Sequence, residues 1–550
     1  GIPNDTLIQI SNMCPQLERL HVRGCDITDD GIVPIAEKCG QQLKELYYSA
    51  CKKCTDAALK SIVNNCNQLE TLSAEDCGIS TIPENIGYKL TKLKKLDLSH
   101  NKITKIPVSL ILLKETLKDR DFNILGNPLQ EPPIEIVDQG FEAIERYFEE
   151  IQKRGSTISN TLKVVLVGQG KAGKTSLLQS ILDHHHPLTT EEERTIYVNF
   201  KTVRIPRKGQ PDLIIIFYDC GGQEEYASGQ TPFLTRSALF LVVVNADETD
   251  PETYLRFFDL LQPRAEDAVV QIIVAKADCV KNPEVQGQLI LGNMNKRLAA
   301  YQKLCKENGL KDKGLRIQQH VILTSVKNNP IRAKEVTIKT ILDLTEVRDP
   351  VPLFPVVGQS MPTTYVKVHR LADGLRAVGE SISHEELFIL VDGKDEIKSP
   401  EDSHNTGMLY CNRNVIDDRY QKYSAWKANK VGADDSGTTD HITVVGDALT
   451  LYDAQGYIYI HMPLIYLNPK LIGDLMGAIT DHTLTEDLVI KSKEFKREIV
   501  QYVENNCEDD DNAIKTLKVA LAKFMAELFA CCAIFIQKYW SGARTPCVCD

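Results

Sequence analysis

Between residues 17 and 101 the chain repeats one hydrophobic signature four times: Leu17-x-x-Leu20-x-Val22-x-x-Cys25, Leu43-x-x-Leu46-x-Tyr48-x-x-Cys51, Leu69-x-x-Leu72-x-Ala74-x-x-Cys77 and Leu93-x-x-Leu96-x-Leu98-x-x-Asn101. The starts fall 26, 26 and 24 residues apart. Alternating apolar positions predict one short strand per unit, and equal spacing predicts that the units stack into a solenoid. The closing Cys or Asn turns inward to satisfy backbone groups of the neighbouring turn. A fifth, degenerate unit is expected from Leu117 through Phe122 to Asn127-Pro128. After Pro132-Pro133 the period becomes helical: Phe141, Ile144, Tyr147, Phe148 and Ile151 form one apolar stripe. This predicts a helix that caps the solenoid and docks it to the next unit, with Gly155 to Asn160 as the hinge. Continuous apolar runs follow at Leu162 to Val167, Leu213 to Tyr218, Ala238 to Ala246, Val269 to Ala275 and His320 to Ser325, with helical segments between them. Such runs predict a doubly wound, mostly parallel α/β sheet. Residues 393 to 441, rich in Asp, Lys, Ser and Gly, are expected to contain a mobile loop, and helical spacing returns from Lys515 to Trp540.

The period is that of leucine-rich repeats; the first three units resemble the cysteine-containing subtype, and the fourth, with Asn101 and Ile106-Pro107, the shorter one. Repeats present a surface and do no chemistry, so a protein partner is expected there. At 550 residues the chain exceeds one hydrophobic core, and 43% hydrophobic with 25% charged residues is ordinary globular composition. The net charge of -11 argues against a general nucleic-acid or anionic-membrane binder. No apolar run reaches membrane-spanning length; the nearest, Leu528 to Ile536, is short and bracketed by Glu527 and Lys538, so no transmembrane segment is expected. There is no secretory signal, and the chain opens at Gly1 inside a repeat-like pattern, so the true start is expected upstream. Of 16 cysteines, seven precede residue 80 at repeat-like positions, which favours buried free thiols in a reducing cytoplasm over disulfides. Cys51 and Cys54 have a C-x-x-C spacing, but no second ligand pair follows at zinc-site spacing. The ending Cys547-Val548-Cys549-Asp550 matches no prenylation box, and no protein-kinase signature set is present.

Chemistry concentrates where the second domain begins. Gly168-Gln169-Gly170-Lys171-Ala172-Gly173-Lys174-Thr175 fits G-x-x-x-x-G-K-[ST], follows a strand and opens a helix at Ser176. Glycines let successive N–H groups curl around phosphate oxygens, Lys174 neutralises the terminal phosphates, and the Thr175 hydroxyl can ligate Mg²⁺. A nucleoside triphosphate is the expected ligand. In a parallel sheet the ligand sits at the carboxyl ends of strands. Asp219-Cys220-Gly221-Gly222-Gln223 stands there after the second run, placing Asp219 to hold Mg²⁺ through water and Gly222 to sense the γ-phosphate. Lys276-Ala277-Asp278 follows the fourth run and Ser325-Val326-Lys327 the fifth. Asp278 can accept from guanine N1–H and its 2-amino group, which adenine cannot offer. His184-His185-His186 reads as a solvated loop rather than a metal site, and Cys220 as a small semi-buried thiol.

This order of motifs resembles the Ras-like GTPases, and with repeats in front it resembles the Roco proteins, whose GTPase domain is called Roc and is followed by a COR domain. Glu193-Arg194-Thr195-Ile196-Tyr197-Val198 is similar to the family's first switch segment, which implies Thr195 as a second Mg²⁺ hydroxyl ligand beside Thr175 and Asp219. Ala448 to Gly456 and Leu467 to Ile472 look like the winged-helix part of an α+β COR domain. The resemblance covers roughly residues 10 to 490 and divides the chain into repeats (1–133), capping helix and linker (134–160), a Roc-like domain (161–346) and a COR-like domain (347–550), incomplete at its end. It implies GTP/GDP with Mg²⁺ as ligands, dimerisation through COR, and hydrolysis by a water oriented by Gln223 with charge offset by Lys174. Arg194 and Arg236 lie near the switches as candidate arginine fingers. Ala275 departs from the family, where Asn or Thr ties the base to the phosphate loop, so weaker affinity and faster exchange are expected. Two other readings stay open: a scaffold that holds nucleotide without turnover, and an ATP-dependent repeat-bearing NTPase, against which domain order and Asp278 both speak.

Overall fold

The computed structural model describes residues 2–183, 185, 188, 195, 198–207, 209–222, 234–235, 238–263, 265, 268–308, 314–348, 352–378, 387–389, 391, 410–431, 441–455, 457–461 and 464–466. Gln223, Arg194, Arg236, His184, His186, the segment 467–472 and the stretches 515–540 and 547–550 lie outside the described residues.

Stacking converts the repeat spacing into register. Strands β1 (Arg19–His21), β2 (Glu45–Tyr47), β3 (Thr71–Ser73), β4 (Lys95–Asp97) and β5 (Phe122–Asn123) form one sheet in that order. All pairings are parallel, and Leu20, Leu46, Leu72 and Leu96 align across it. The longer repeats have room for full helices behind the sheet, α1 (Asn4–Met13), α2 (Asp29–Cys39) and α3 (Asp56–Asn65), whereas the shorter fourth turn carries only α4 (Ile86–Lys89). Inward Cys and Asn side chains serve the neighbouring turn: Cys51 donates to Val22 O at 3.2 Å and Cys77 to Tyr48 O at 3.4 Å. Asn101 does more, accepting from Cys77 N and Ile79 N and donating to Ala74 O and Leu98 O. Cys51 and Cys54 each direct the thiol at a backbone carbonyl of the preceding turn, and burial raises both thiol pKa values.

A short α5 (Ile134–Val137) leads to α6 (Phe141–Arg154), which buries Phe141, Ile144, Tyr147 and Phe148, the stripe read from the spacing. The segment expected as a hinge is instead a strand, β6 (Ser156–Ser159), paired antiparallel with β14 (Gln359–Pro362) about 200 residues further on. Between them lies a sheet in the order β12-β11-β10-β7-β9-β8, with β13 also on β11. Its strands are β7 (Thr161–Val167), β8 (Val198–Arg207), β9 (Gln210–Cys220), β10 (Ala238–Asn245), β11 (Val269–Ala275), β12 (Arg316–Ile317) and β13 (Ile322–Leu323). Every pairing is parallel except β8 with β9. Helices α7 (Lys174–Leu182), α8 (Glu252–Leu261), α9 (Pro283–Glu307) and α10 (Pro330–Glu346) accompany this sheet, which has a separate apolar core on each face. Phe354, Val356 and Val357, expected in the C-terminal unit, pack in one of those cores.

The chain then forms α11 (Thr363–Val378), β15 (Tyr410–Asn412), α12 (Arg413–Val431), α13 (His441–Ala454), β16 (Tyr459–His461) and β17 (Leu464–Tyr466), with the strands ordered β15-β17-β16. Within the stretch expected to contain a loop, residues 410–431 are strand and helix; Ile416, Tyr420 and Tyr423 recur at helical spacing and are buried. This part shares one continuous core with the repeats and α6. At the seam Arg146 holds Asp447 through two hydrogen bonds of 2.6 and 2.9 Å, and Thr364 donates to Glu150 at 2.6 Å.

Candidate nucleotide site

The site is assembled at the carboxyl end of the central sheet. β7 is buried along nearly its whole length, so its chain must leave into a turn that lies over the sheet edge. Gly168 opens that turn with φ 145, and a Cβ there would lie 2.1 Å from Val243 O; only glycine lets the loop rest on β10. Lys171 takes a left-handed φ of 65, exposing its side chain, and the Ala172 N–H turns back to Gln169 O at 3.2 Å. After Gly173 the chain enters α7 at Lys174, with Thr175 and Ser176 in the first turn.

Lys174 is 6% exposed and donates to Gly168 O at 2.7 Å and Gln169 O at 2.9 Å. Burial lowers its pKa to about 8, against the opposing pull of Asp219. The ammonium is thereby held inside the loop it serves, where an anion is the natural complement.

Beneath the loop three oxygen side chains converge. Thr175 Oγ1 donates to Asp219 Oδ2 at 2.8 Å, Thr195 Oγ1 donates to the same oxygen at 2.6 Å, and the two hydroxyls are 3.0 Å apart. The three side chains satisfy one another by hydrogen bonds here, and oxygens of this kind are the ligands Mg²⁺ takes. Asp219 is fully buried, its Oδ1 has no hydrogen-bond partner among the described residues, and burial raises its carboxyl pKa. A hard, all-oxygen donor set with an uncommitted buried carboxylate oxygen fits a divalent cation such as Mg²⁺. Just beyond, Gly222 presses against the loop: Gly170 N–H donates to Gly222 O at 2.9 Å, and a Cβ on Gly222 would meet Gly170 N at 2.3 Å.

The base-reading motifs lie alongside. Lys276 turns the chain at the end of β11 with a left-handed φ of 55, and Ala277 N–H is anchored to Thr324 O at 2.9 Å. This brings Asp278 to the surface, where it accepts from the Ser325 hydroxyl; that bond and the nearby Lys327 and Lys276 lower its pKa. Val326 is partly buried against the sheet core and Lys327 is exposed. The loop and the base motif meet at Gly173, whose Cβ position is 3.5 Å from the Ala275 methyl, so the contact there is apolar. Two residues escaped the sequence reading. Lys163, 2% exposed in β7, stands 4.4 Å over the Tyr218 ring and donates to Thr235 Oγ1 at 3.3 Å. Asn245 closes β10 with a buried amide oxygen that has no partner among the described residues. A charged or amide residue inside an apolar strand was the available signal for both.

A phosphate-loop domain of Ras-like topology behind a leucine-rich-repeat solenoid is the class that fold and site define. The family model described as "Ras of Complex, Roc, domain of DAPkinase" matches residues 163–278, and leucine-rich-repeat models match 14–36 and 67–110. These matches give the chain a Roc domain and leucine-rich repeats, a combination similar to that of Roco proteins. The chain is 30% identical over 190 residues to a Roc-COR-CHAT protease from an unknown prokaryotic organism, covering 31% of this chain and 17% of that protein. It is 26% identical over 295 residues to the malignant fibrous histiocytoma-amplified sequence 1 homolog of Mus musculus, covering 48% and 27%. These matches thus take in under a third of each relative's own length. Among solved structures, Methanosarcina barkeri Roco2 RocCORdC bound to GDP is 16% identical with a TM-score of 0.40, covering 65% of this chain and 87% of that one.

Proposed function

We propose that this chain is a GTP-binding and GTP-hydrolysing switch of Roco type, with Thr175, Thr195 and Asp219 holding Mg²⁺ and Asp278 reading guanine. The observation that carries the reading is the convergence of Thr175, Thr195 and Asp219 Oδ2 within 3.0 Å of one another beneath a loop that sequesters Lys174. Loop N–H groups and Lys174 bind and orient the phosphates; Mg²⁺, when bound, offsets charge on the β- and γ-phosphate oxygens. Gly222, pressed on the loop, is positioned to answer the presence of the γ-phosphate, and Gln223 follows it directly in the chain. Its carboxamide can both accept from and donate to a water that attacks the γ-phosphorus in line as the bond to the β–γ bridging oxygen breaks.

The finer attributes of this reading are proposed with it. The domain limits are 1–133, 134–160, 161–346 and 347–550, with Phe354, Val356 and Val357 at the start of the last packing against the third; the repeats take a protein partner, the COR-like part makes a homodimer, and the setting is cytoplasmic. Supporting these are exposed Arg19 and His21 on the repeat sheet and free thiols at Cys39, Cys51, Cys54, Cys66 and Cys77, all buried. Among the described residues no helix is long and apolar enough to cross a membrane.

Single-turnover measurement with GTP and with ATP on the whole chain tests the reading. Phosphate release from GTP that Gln223→Leu lowers without changing GTP affinity is the expected result, since such a group acts mainly in the transition state. GTP bound without release leaves the holding scaffold, and preference for ATP overturns the base assignment.

A further inference from the structure

Among the described residues, two buried side-chain oxygens at the nucleotide site have no hydrogen-bond partner, Asp219 Oδ1 and Asn245 Oδ1. The cation site accounts for the first. Asn245 ends β10 after the run Leu239 to Val244, where a further aliphatic residue would have been the cheaper choice. Its place in the sheet says what it is for. Leu239, Leu241 and Val243 face the core under α7 together with Leu177, Leu178 and Ala275, and alternation puts Asn245 next on that face. It is in parallel register with Ala275, so both residues point the same way. On one side of it Gly168 rests on Val243 O; on the other, Ala275 meets Gly173. Asn245 therefore lies at the sheet rim between the two ends of the phosphate loop, in a place where the base motif itself offers only a methyl group.

A buried amide acceptor without a donor is disfavoured, and a fold retains one where a partner arrives in the working state. We propose that Asn245 is a positioning residue for the nucleotide complex: its carboxamide accepts a phosphate-loop N–H when nucleotide is bound, tying loop to sheet from β10 in place of a tie from Ala275. This rests on the GTP-binding reading.

The test uses the full chain and GDP or the slowly hydrolysed analogue GTPγS, with affinity read by calorimetry and the unfolding midpoint read without nucleotide. Asn245→Ala should weaken both nucleotides roughly tenfold, the worth of one such hydrogen bond. Its nucleotide-free midpoint should not fall, because the variant removes an acceptor that was unpaired. Ala275→Asn, which returns a carboxamide to the adjacent strand, should recover at least half of that loss on a logarithmic scale. Unchanged affinity in Asn245→Ala overturns the proposal. So does a loss accompanied by a lower nucleotide-free midpoint, which marks an ordinary structural residue, or a loss that Ala275→Asn leaves untouched. Should the unaltered chain bind neither nucleotide, the GTP-binding reading fails first and this inference falls with it.

Discussion

Lys163 and Lys174 are both ammonium groups placed where water cannot reach them, and they show how differently a sequence announces such residues. Lys174 sits in a motif whose neighbours explain it, and its buried charge is met by Gly168 O, Gln169 O and the field of Asp219. Lys174→Ala should abolish triphosphate binding while leaving the repeats folded; retained affinity by calorimetry would remove the phosphate-loop assignment. Among the described residues Lys163 meets Thr235 and the Tyr218 ring, and burial lowers its pKa to about 7. In the unfolded chain it titrates near 10.4. Between those values the unfolded chain keeps the proton and the folded chain has lost it, so stability rises with pH across that window. Below about 7 the full cost of burying the charge is present. Lys163→Met should therefore stabilise the chain at pH 6 to 7 and flatten the rise above it by up to about 1.4 kcal/mol per pH unit. Guanidinium melts at pH 6, 7, 8 and 9 read this, and an unaltered slope refutes it. Motif residues were legible because phosphate binding demands a fixed spacing. Lys163 and Asn245 were not, because their roles come from segments 30 to 77 residues away in the chain.

At the scale of elements, legibility followed the range of the interaction that makes the element. The repeat strands could be read from the sequence because Leu20, Leu46, Leu72 and Leu96 must align for the turns to stack, and that imposes an even period. The Ser-Thr-Ile-Ser of β6 reads as a hinge because it has no apolar pattern; what makes it a strand is β14, and nothing local encodes that partner. β8 was missed because, as an exposed edge strand, it buries little beyond Val198. The inward ladder carries a measurable asymmetry. Cys77 offers the Tyr48 carbonyl one weak thiol bond, whereas Asn101 satisfies two N–H groups and two carbonyls in a buried position. Asn101→Ala leaves buried Cys77 N and Ile79 N unpaired, at about 1–3 kcal/mol for each, while Cys77→Ala should cost under about 2 kcal/mol. Urea unfolding of both variants checks the order; equal losses would mean that the ladder does not depend on the asparagine.

For the whole molecule, the chain path makes a stronger statement than any domain boundary. Repeats, α6, α11, α12 and α13 share a core, whereas the phosphate-loop sheet has two cores of its own. The nucleotide domain leaves that common body at β6 and returns at β14, so it is an insertion hung on a two-stranded ribbon, with Gln130 bonded to Pro355 O and Val357 O beside it. Arg146 and Asp447 hold the body together across 301 residues, and the Asp447 side chain is only 8% exposed. Arg146→Ala strands that carboxylate and should cost about 3–5 kcal/mol, more than replacing both partners with apolar residues. The insertion itself is testable by removal. Ser159 and Gln359 are register partners, so replacing residues 160–358 with Asn-Gly closes β6 and β14 as a two-residue hairpin. If repeats and C-terminal helices form one body, the shortened chain stays soluble and melts in one cooperative transition, and Arg146→Ala lowers its midpoint. Their communication with the nucleotide site would then run through the ribbon and the Gln130 contacts rather than through shared packing. Two separate transitions, or a midpoint indifferent to Arg146, would show instead that the inserted domain is what holds the halves together.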